Sequence, residues 1–544
     1  MKPILKFLKN YNYGVFWFFI LALAALYFVY STGLVTPYAH HDNTRHFKEF
    51  NGDSSFKNTC SNDNQWHWLI ELGRPVAAVF ECTIWVNAYH LEDLKIFKLT
   101  VLLLLAASAL VFWRLASKGG MDKWSALFLG IALMTLPGMQ HIIFMTAIQG
   151  GLSILLGLFA YHVLEKTSIA MGFRWMLAIF ILLISFMGHQ SLSLFFFVPT
   201  FLILLDLALK GARYQTLLVK VFRDFTVFGA ASALYFMVVK LIIHGLFYTP
   251  EQLAPIPPEY RFNIDIWQLG DRIQMLFWQG VPSAFNAWNI YASPQQGGAF
   301  ACVLVFLLFI LLYLRTPEKT LVGKIGGVAL RFSLLLATFL AANSIWLVGS
   351  FNYFLPRFIA AATAMCVILA VRCMLEFITI LKNKKILPEN DKNIFIVFAF
   401  LVMLYGARSA NKVMTLNVWN NLQESRYISQ LMAEGIKNKI RHFHFIIQKP
   451  TEVGYNGIKT VGDIINAKSA TQPYELAALA RISLLRLHLE KRFFIEDCTW
   501  GDVAACVAKR GHKGISITFS ETDDPAPNWE NSVIIDMHQL VVGL

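Results

Sequence analysis

Charge is scarce in this chain of 544 residues: Asp, Glu, Lys and Arg make up 15% of it, against 56% hydrophobic residues and a mean hydropathy of +0.52. A soluble globular chain carries about 25% charged residues, so a water-facing globule is excluded. Chemical signatures are missing as well. The sequence contains no CxxC, no HExxH, no phosphate-cradling GxxxxGK and no dinucleotide-binding glycine fingerprint, which leaves an ATP-driven pump or a soluble-cofactor enzyme without support. No small-residue cleavage site follows the first apolar run, and that run is long, so it reads as an anchor and not as a removable signal.

What is present is a series of apolar runs. A spanning helix needs about 20 apolar residues at 1.5 Å rise per residue. On that criterion eleven spans are expected, near 13–31, 95–113, 124–138, 141–161, 174–188, 191–208, 225–246, 299–314, 330–349, 354–381 and 393–408. The runs 124–138 and 174–188 are short enough to be re-entrant, but dropping one would put the basic loops around Lys220, Lys319 and Lys384 outside, so both count as spans. Positive charge is retained on the cytoplasmic side during insertion. With the N-terminus inside, the cytoplasmic pieces 1–12, 114–123, 162–174, 209–224, 315–331 and 372–392 hold 21 of the 47 Lys and Arg. The outer loop 32–94 has four basic residues against eight acids, and the outer loop 247–298 has two basic residues. The net charge of +13 is thus a loop asymmetry and not a nucleic-acid surface.

An odd number of spans places 409–544 outside as a small soluble domain, with helices expected near 413–440 and 472–492. Alternation predicts strands at 442–447, 514–519 and 532–536, hence an α+β domain. The seven cysteines divide accordingly. Cys302, Cys366 and Cys373 fall in spans, while Cys60, Cys82, Cys498 and Cys506 fall outside, where an oxidising compartment permits two bridges or leaves free thiols.

The unusual polar groups gather on the outer side of this topology. The stretch TPYAHHDNTRHF after the first span carries His40, His41, Asp42, Arg45 and His46; Gly73-Arg74-Pro75 lies in the same outer loop; Gly188-His189-Gln190 joins two spans; and Asn352 to Arg357, NYFLPR, joins two more. The histidines lack metal-ligand spacing on a defined element, so no metal site is expected. Each group has two readings. Asp42 is a catalytic base or a solvated helix end; Arg74 contacts substrate, snorkels, or pairs with Glu71; Arg357 contacts substrate or anchors topology. Lys240 and His244, in the outer half of the seventh span, serve a binding purpose or snorkel. The segment VAAVFECTIWVNAY after Gly-Arg-Pro reads as an interface-lying helix. Trp267, Trp278 and Trp288 in the 247–298 loop stack on sugar rings or mark the interface.

Four of these motifs, in this order over roughly residues 10–380, resemble the Gtr-type glucosyltransferases that decorate O-antigen, integral membrane enzymes of the GT-C class. They are His41-Asp42-Asn43 with Arg45, Gly73-Arg74-Pro75, His189-Gln190-Ser191 followed by LFFFVP, and Pro356-Arg357-Phe358. Two departures stand out. His41 occupies the first place of what is often a carboxylate pair, and His189 stands where tyrosine is more familiar. The resemblance implies a GT-C-like fold, a polyprenyl-phosphate-sugar donor, a lipid-linked or surface glycan acceptor, and a flippase and donor-sugar synthase as partners in the bacterial inner membrane. No cofactor is implied, and a divalent metal stays open. It further implies Asp42 as the base, Arg357, Arg74, Arg45 and Lys240 for the donor phosphate, and His41, His189, Gln190 and Trp278 for substrate positioning. An aspartate is ionised at neutral pH and accepts a hydroxyl proton within hydrogen-bond reach; arginine's planar fork meets phosphate oxygens in pairs. An O-antigen polymerase or ligase and a membrane transporter are the rival readings. Transporters usually carry internal repeats, and none is found here.

Overall fold

The computed structural model describes residues 13–36, 69–70, 72–88, 90–239, 267–285, 288, 294–318, 320–348, 359–383, 391–438, 442–446, 483, 494–496, 516–520 and 532–536. Its helices are α1 (Tyr13–Val35), α2 (Pro75–Asn87), α3 (Leu94–Lys118), α4 (Lys123–Leu133), α5 (Pro137–Phe144), α6 (Ile148–Leu164), α7 (Met171–Ser193), α8 (Phe197–Leu209) and α9 (Tyr214–Phe236). They continue with α10 (Leu269–Met275), α11 (Val281–Phe285), α12 (Pro294–Arg315), α13 (Leu321–Ala341), α14 (Ser344–Val348), α15 (Ala360–Asn383) and α16 (Asp391–Lys437). Among the described residues, seven helical stretches are long and apolar enough to cross a membrane, or eight if the bent pair α4–α5 is one span. Large apolar side chains face outward: Phe28 is 81% exposed, Phe222 73% and Val322 82%. Such a surface is stable only against lipid or a partner. The protein is a helical, multi-pass membrane protein.

The eleven expected runs map unevenly onto these stretches. The run at 124–138 is broken: α4 ends at Leu133, Pro137 opens α5, and the two axes differ by 56°. Proline favours the first turn of a helix, where no backbone N–H is needed, and cannot continue a preceding one. The run at 141–161 is interrupted at Thr146, whose φ is +56°, so that α6 has 17 residues. α9 carries Lys220, Arg223 and Asp224 in its first half, and is not one of the seven. The run at 393–408 and the helix expected at 413–440 are one continuous helix, α16, of 47 residues.

Met171–Leu209 is helical almost throughout, yet it is not one straight rod. A straight helix sets residues eight apart about 12 Å from each other, whereas the hydroxyls of Ser185 and Ser193 are 2.7 Å apart. α6 serves as a ruler. Ser185 of α7 exchanges hydrogen bonds with Ser153 at 2.9 Å, and on the far side of the bend Phe196 stacks edge-on against Tyr161. The chain turns back at His189, whose backbone is extended (φ −158°, ψ 105°), so α7 and the turn at Leu194–Phe196 that leads into α8 both lie against α6.

The opposite ends of these helices meet in a charged layer. Lys220 donates to Glu165 at 2.9 Å, and Arg223 reaches both Glu165 and Asp224. Arg372 pairs with Asp206, and Arg315 with Glu376. Arg331 donates to the Ala212 carbonyl and the Thr316 hydroxyl, each at 3.0 Å. Each of these buried or half-buried charges faces an opposite charge or a carbonyl, which is what keeps such groups tolerable away from water.

Beyond α16, strands β1 (His442–Ile446), β2 (Phe494–Glu496), β3 (Ser516–Ser520) and β4 (Ser532–Asp536) form one sheet in the order β2-β3-β1-β4. β1 runs antiparallel to β3 and parallel to β4, with His442 opposite Ser520 and Ser532.

Candidate functional site

At the helix ends opposite the charged layer, three segments distant in sequence close on one another. Gly73, at φ +76°, turns the chain between Ile70 and α2, and Pro75 opens α2 at its first turn. The turn is held by the Gly73 N–H to the Ile70 carbonyl and the Arg74 N–H to the Leu69 carbonyl, both 2.8 Å. Arg74 then donates through Nε to Oε1 of Gln190 at 2.6 Å. Gln190 uses its amide nitrogen as well, donating to the Leu72 carbonyl at 2.6 Å and to the Tyr235 hydroxyl at 2.7 Å. Tyr235 in turn donates to the Gly73 carbonyl at 2.9 Å. The ring of bonds fixes the Arg74 guanidinium relative to the α7–α8 bend and to the end of α9.

The bend has its own hydroxyl ladder. An extended residue inside a helical stretch leaves carbonyls unpaired, and serine is the residue type that bonds them locally. Ser193 donates to the His189 carbonyl at 2.9 Å, and the Ser191 hydroxyl lies 3.1 Å from Nδ1 of His189. His189 is buried at 7% exposure, so its ring belongs to the packed end of the bundle.

Beside this cluster, Glu81 on α2 accepts from Nε2 of Gln149 at 2.7 Å. Among the described residues, Oε1 of Gln149 is buried with no partner, and so is the hydroxyl of Thr146, a non-glycine residue with positive φ. A ligand bearing hydroxyl groups matches them.

Of the residues expected from sequence, Arg74, His189 and Gln190 come together here. Trp278 lies on the π-helical turn Leu276–Gly280 and is 76% exposed. Asp42, Arg45, His41, Lys240 and Arg357 lie outside the described residues, as do Cys60, Cys498 and Cys506. Cys82 is disulfide-bonded to a residue outside the described set, and Cys302, Cys366 and Cys373 are free. Among the described residues, no three His, Cys, Asp or Glu side chains group as metal ligands would. Sequence reasoning missed Tyr235, Gln149 and Thr146. Tyr235 sits within an apolar run with nothing to mark it, and the buried amide of Gln149 beside two glycines was the one signal in its neighbourhood.

The arrangement defines a class, a multi-pass membrane protein with a polar cluster at one end of its helical bundle. No family model matches the chain, and no curated protein aligns with it.

Proposed function

We propose that the protein is a GT-C-like glycosyltransferase of eleven spans, moving a hexose from a polyprenyl-phosphate donor to O-antigen or another surface glycan at the periplasmic face of the inner membrane. Glucose is the sugar by the family resemblance. The observation that carries the reading is the joining of Gly-Arg-Pro to His-Gln through the 2.6 Å bond from Arg74 to Gln190. Two motifs that the resemblance singled out, 116 residues apart, share one hydrogen-bonded cluster. The side is supported by Cys82, since a disulfide persists in an oxidising compartment. The turn at His189, which divides Met171–Leu209 into two arms, supports a count above the seven long apolar stretches.

In this reading the acceptor hydroxyl attacks the anomeric carbon and a new C–O bond forms. The bond from that carbon to the phosphate oxygen breaks, and polyprenyl phosphate leaves with the electron pair. Asp42 takes the hydroxyl proton. Arg74, with Arg357, Arg45 and Lys240, balances charge on the departing phosphate, while His41, His189, Gln190 and Trp278 position the sugar. The α+β domain over 409–544 stands on the acceptor side. Asp42→Asn keeps size and removes the proton acceptor, so transfer from a synthetic polyprenyl-phosphate sugar is expected to fall about 10²- to 10⁴-fold with folding and donor binding retained. Near-normal turnover by a well-folded variant overturns the assignment of the base.

A further inference from the structure

The charged layer has one corner where cations gather without acids. α3 and α6 pack against each other and both end at that layer, α3 at Gly119, whose carbonyl accepts from Lys210 at 3.3 Å, and α6 at Glu165, which binds Lys220 at 2.9 Å. Arg114 and Lys118 stand one turn apart on α3, and His162 and Lys166 one turn apart at the end of α6. Arg114, Lys118 and Lys166 are exposed, and His162 is half-buried. The charges that act on the His162 ring are those three cations, and none is an acid. Because α3 closes an apolar stretch long enough to cross a membrane, its last turn stands at headgroup depth.

Among the described residues, no carboxylate pairs with Arg114, Lys118 or Lys166. The acids nearby are committed elsewhere: Glu165 to Lys220 and Arg223, Asp206 to Arg372 and Lys210, and Asp122 to the N–H groups of Trp124 and Ser125. The helix ends do not claim these cations either. The carbonyls of Leu115, Ala116 and Ser117 accept from the N–H groups of Gly119, Met121 and Gly120, and those of Tyr161 and Val163 from Glu165 and Lys166. Retention of positive charge on one side accounts for basic residues at this end. It accounts equally for Lys220, Arg223, Arg315 and Arg372, each of which has a carboxylate, so the bare corner needs a further cause. Like charges gathered this way repel, and an anion from outside the chain relieves them. The neighbouring surface says which anion. Phe159, one turn before His162, is 40% exposed and stacks on the imidazole with 6.1 Å between ring centroids. An apolar step beside a cationic ledge matches a phospholipid, chain against the ring and phosphate against the cations.

We propose that the ends of α3 and α6 form a docking surface for an anionic phospholipid, with Arg114, Lys118 and Lys166 around its phosphate, His162 beside them and an acyl chain along Phe159. The surface lies at the end of the bundle opposite the Arg74 cluster. It does not depend on sugar transfer, and a protein that transfers no sugar keeps it.

The full chain in a maltoside detergent, which contains no phosphate, is titrated with phosphatidylglycerol and with phosphatidylcholine, which carries the same phosphate but no net charge, and binding is read by native mass spectrometry. Wild type is expected to hold phosphatidylglycerol at least about tenfold more tightly, as several basic residues near an anionic headgroup imply. Inorganic phosphate at the same concentration is not expected to displace it. The triple variant Arg114→Gln, Lys118→Gln, Lys166→Gln is expected to lose the preference. A control of equal net charge, Lys95→Gln, Arg408→Gln, Lys412→Gln, which removes exposed cations elsewhere, keeps it. A second readout needs no variant and decides the matter if the triple variant fails to fold. Hydrogen exchange of wild type across 114–121 and 162–168 is expected to be slower in phosphatidylglycerol nanodiscs than in phosphatidylcholine ones. Equal affinity of wild type for both lipids, a preference that survives the triple variant, displacement by inorganic phosphate, or equal exchange in both nanodiscs overturns the proposal.

Discussion

Gly73, Arg74 and Pro75 meet three separate demands at one turn, and the structure supplies the reason for each. Proline starts α2, arginine meets Gln190, and glycine is required twice over. Its φ of +76° is unfavourable for other residues, and a Cβ at this position would stand 2.1 Å from the Tyr235 hydroxyl. Gly73→Ala is therefore expected to lower the melting temperature and to displace Arg74. Tyr235→Phe removes two hydrogen bonds from a buried ring and is expected to cost about 1–3 kcal/mol. The double variant tests the cause. If the hydroxyl is what the new methyl strikes, Gly73→Ala on the Tyr235→Phe background costs less than on wild type; equal cost on both backgrounds shows that backbone strain alone is responsible. At this scale the sequence marked Gly73-Arg74-Pro75 because glycine, arginine and proline together are conspicuous at a membrane exit. It gave no hint of Tyr235, since aromatic residues are everywhere in apolar runs and only the fold tells which hydroxyl meets a polar partner.

Helices were legible as hydrophobic mass, and their joints were not. The turn at His189 was readable because Gly-His-Gln interrupts two apolar runs, and the Ser185–Ser193 contact shows what that interruption becomes. The breaks at Met134–Leu136 and at Thr146 were not resolved, because hydropathy summed over a window passes through a single proline or a strained threonine without a mark. The charged layer was foreseen as basic loops, yet its acids were not foreseen as partners. Glu165 is the clearest case. Burial pushes its carboxyl up, and Lys220 and Arg223 beside it outweigh that and hold it below its ordinary value of 4.5. A carboxylate with a depressed pKa contributes stability that is fully present above the unfolded value and is lost as pH falls through the folded one. Glu165→Gln is thus expected to destabilise the purified protein at pH 7, by about 1–3 kcal/mol for a charge-assisted pair. The gap to wild type should close below about pH 4.5 as wild type loses the same interaction. Thermal melts of both proteins between pH 3 and 7, about the range over which carboxylates titrate, measure this; a gap independent of pH refutes the electrostatic role.

Across the whole molecule, the two ends of the bundle have opposite chemistry, and that polarity bears on the proposed orientation. The charged layer collects Lys220, Arg223, Arg315, Arg331 and Arg372 near the short turns. The other end holds Arg74 within a hydrogen-bonded ring, with the disulfide-bonded Cys82 further along α2, the helix that Arg74 precedes. Lysine- and arginine-rich short loops stay in the cytoplasm, and disulfides form outside it. Two independent rules therefore support the same proposed orientation, with the cluster on the periplasmic side. Cysteines introduced one at a time at Asn286 and Asn456, on a background lacking Cys302, Cys366 and Cys373 and each read against the labelling of that background, are expected to react with an impermeant maleimide in intact spheroplasts. A cysteine at Lys384 should react only after lysis. Labelling at Asn286 with protection at Asn456 would mean a crossing missed after α15 and would remove the C-terminal sheet from the acceptor side. Protection of both with labelling at Lys384 would invert the bundle, and the Arg74 cluster would then face the cytoplasm, where neither the disulfide nor the proposed acceptor belongs.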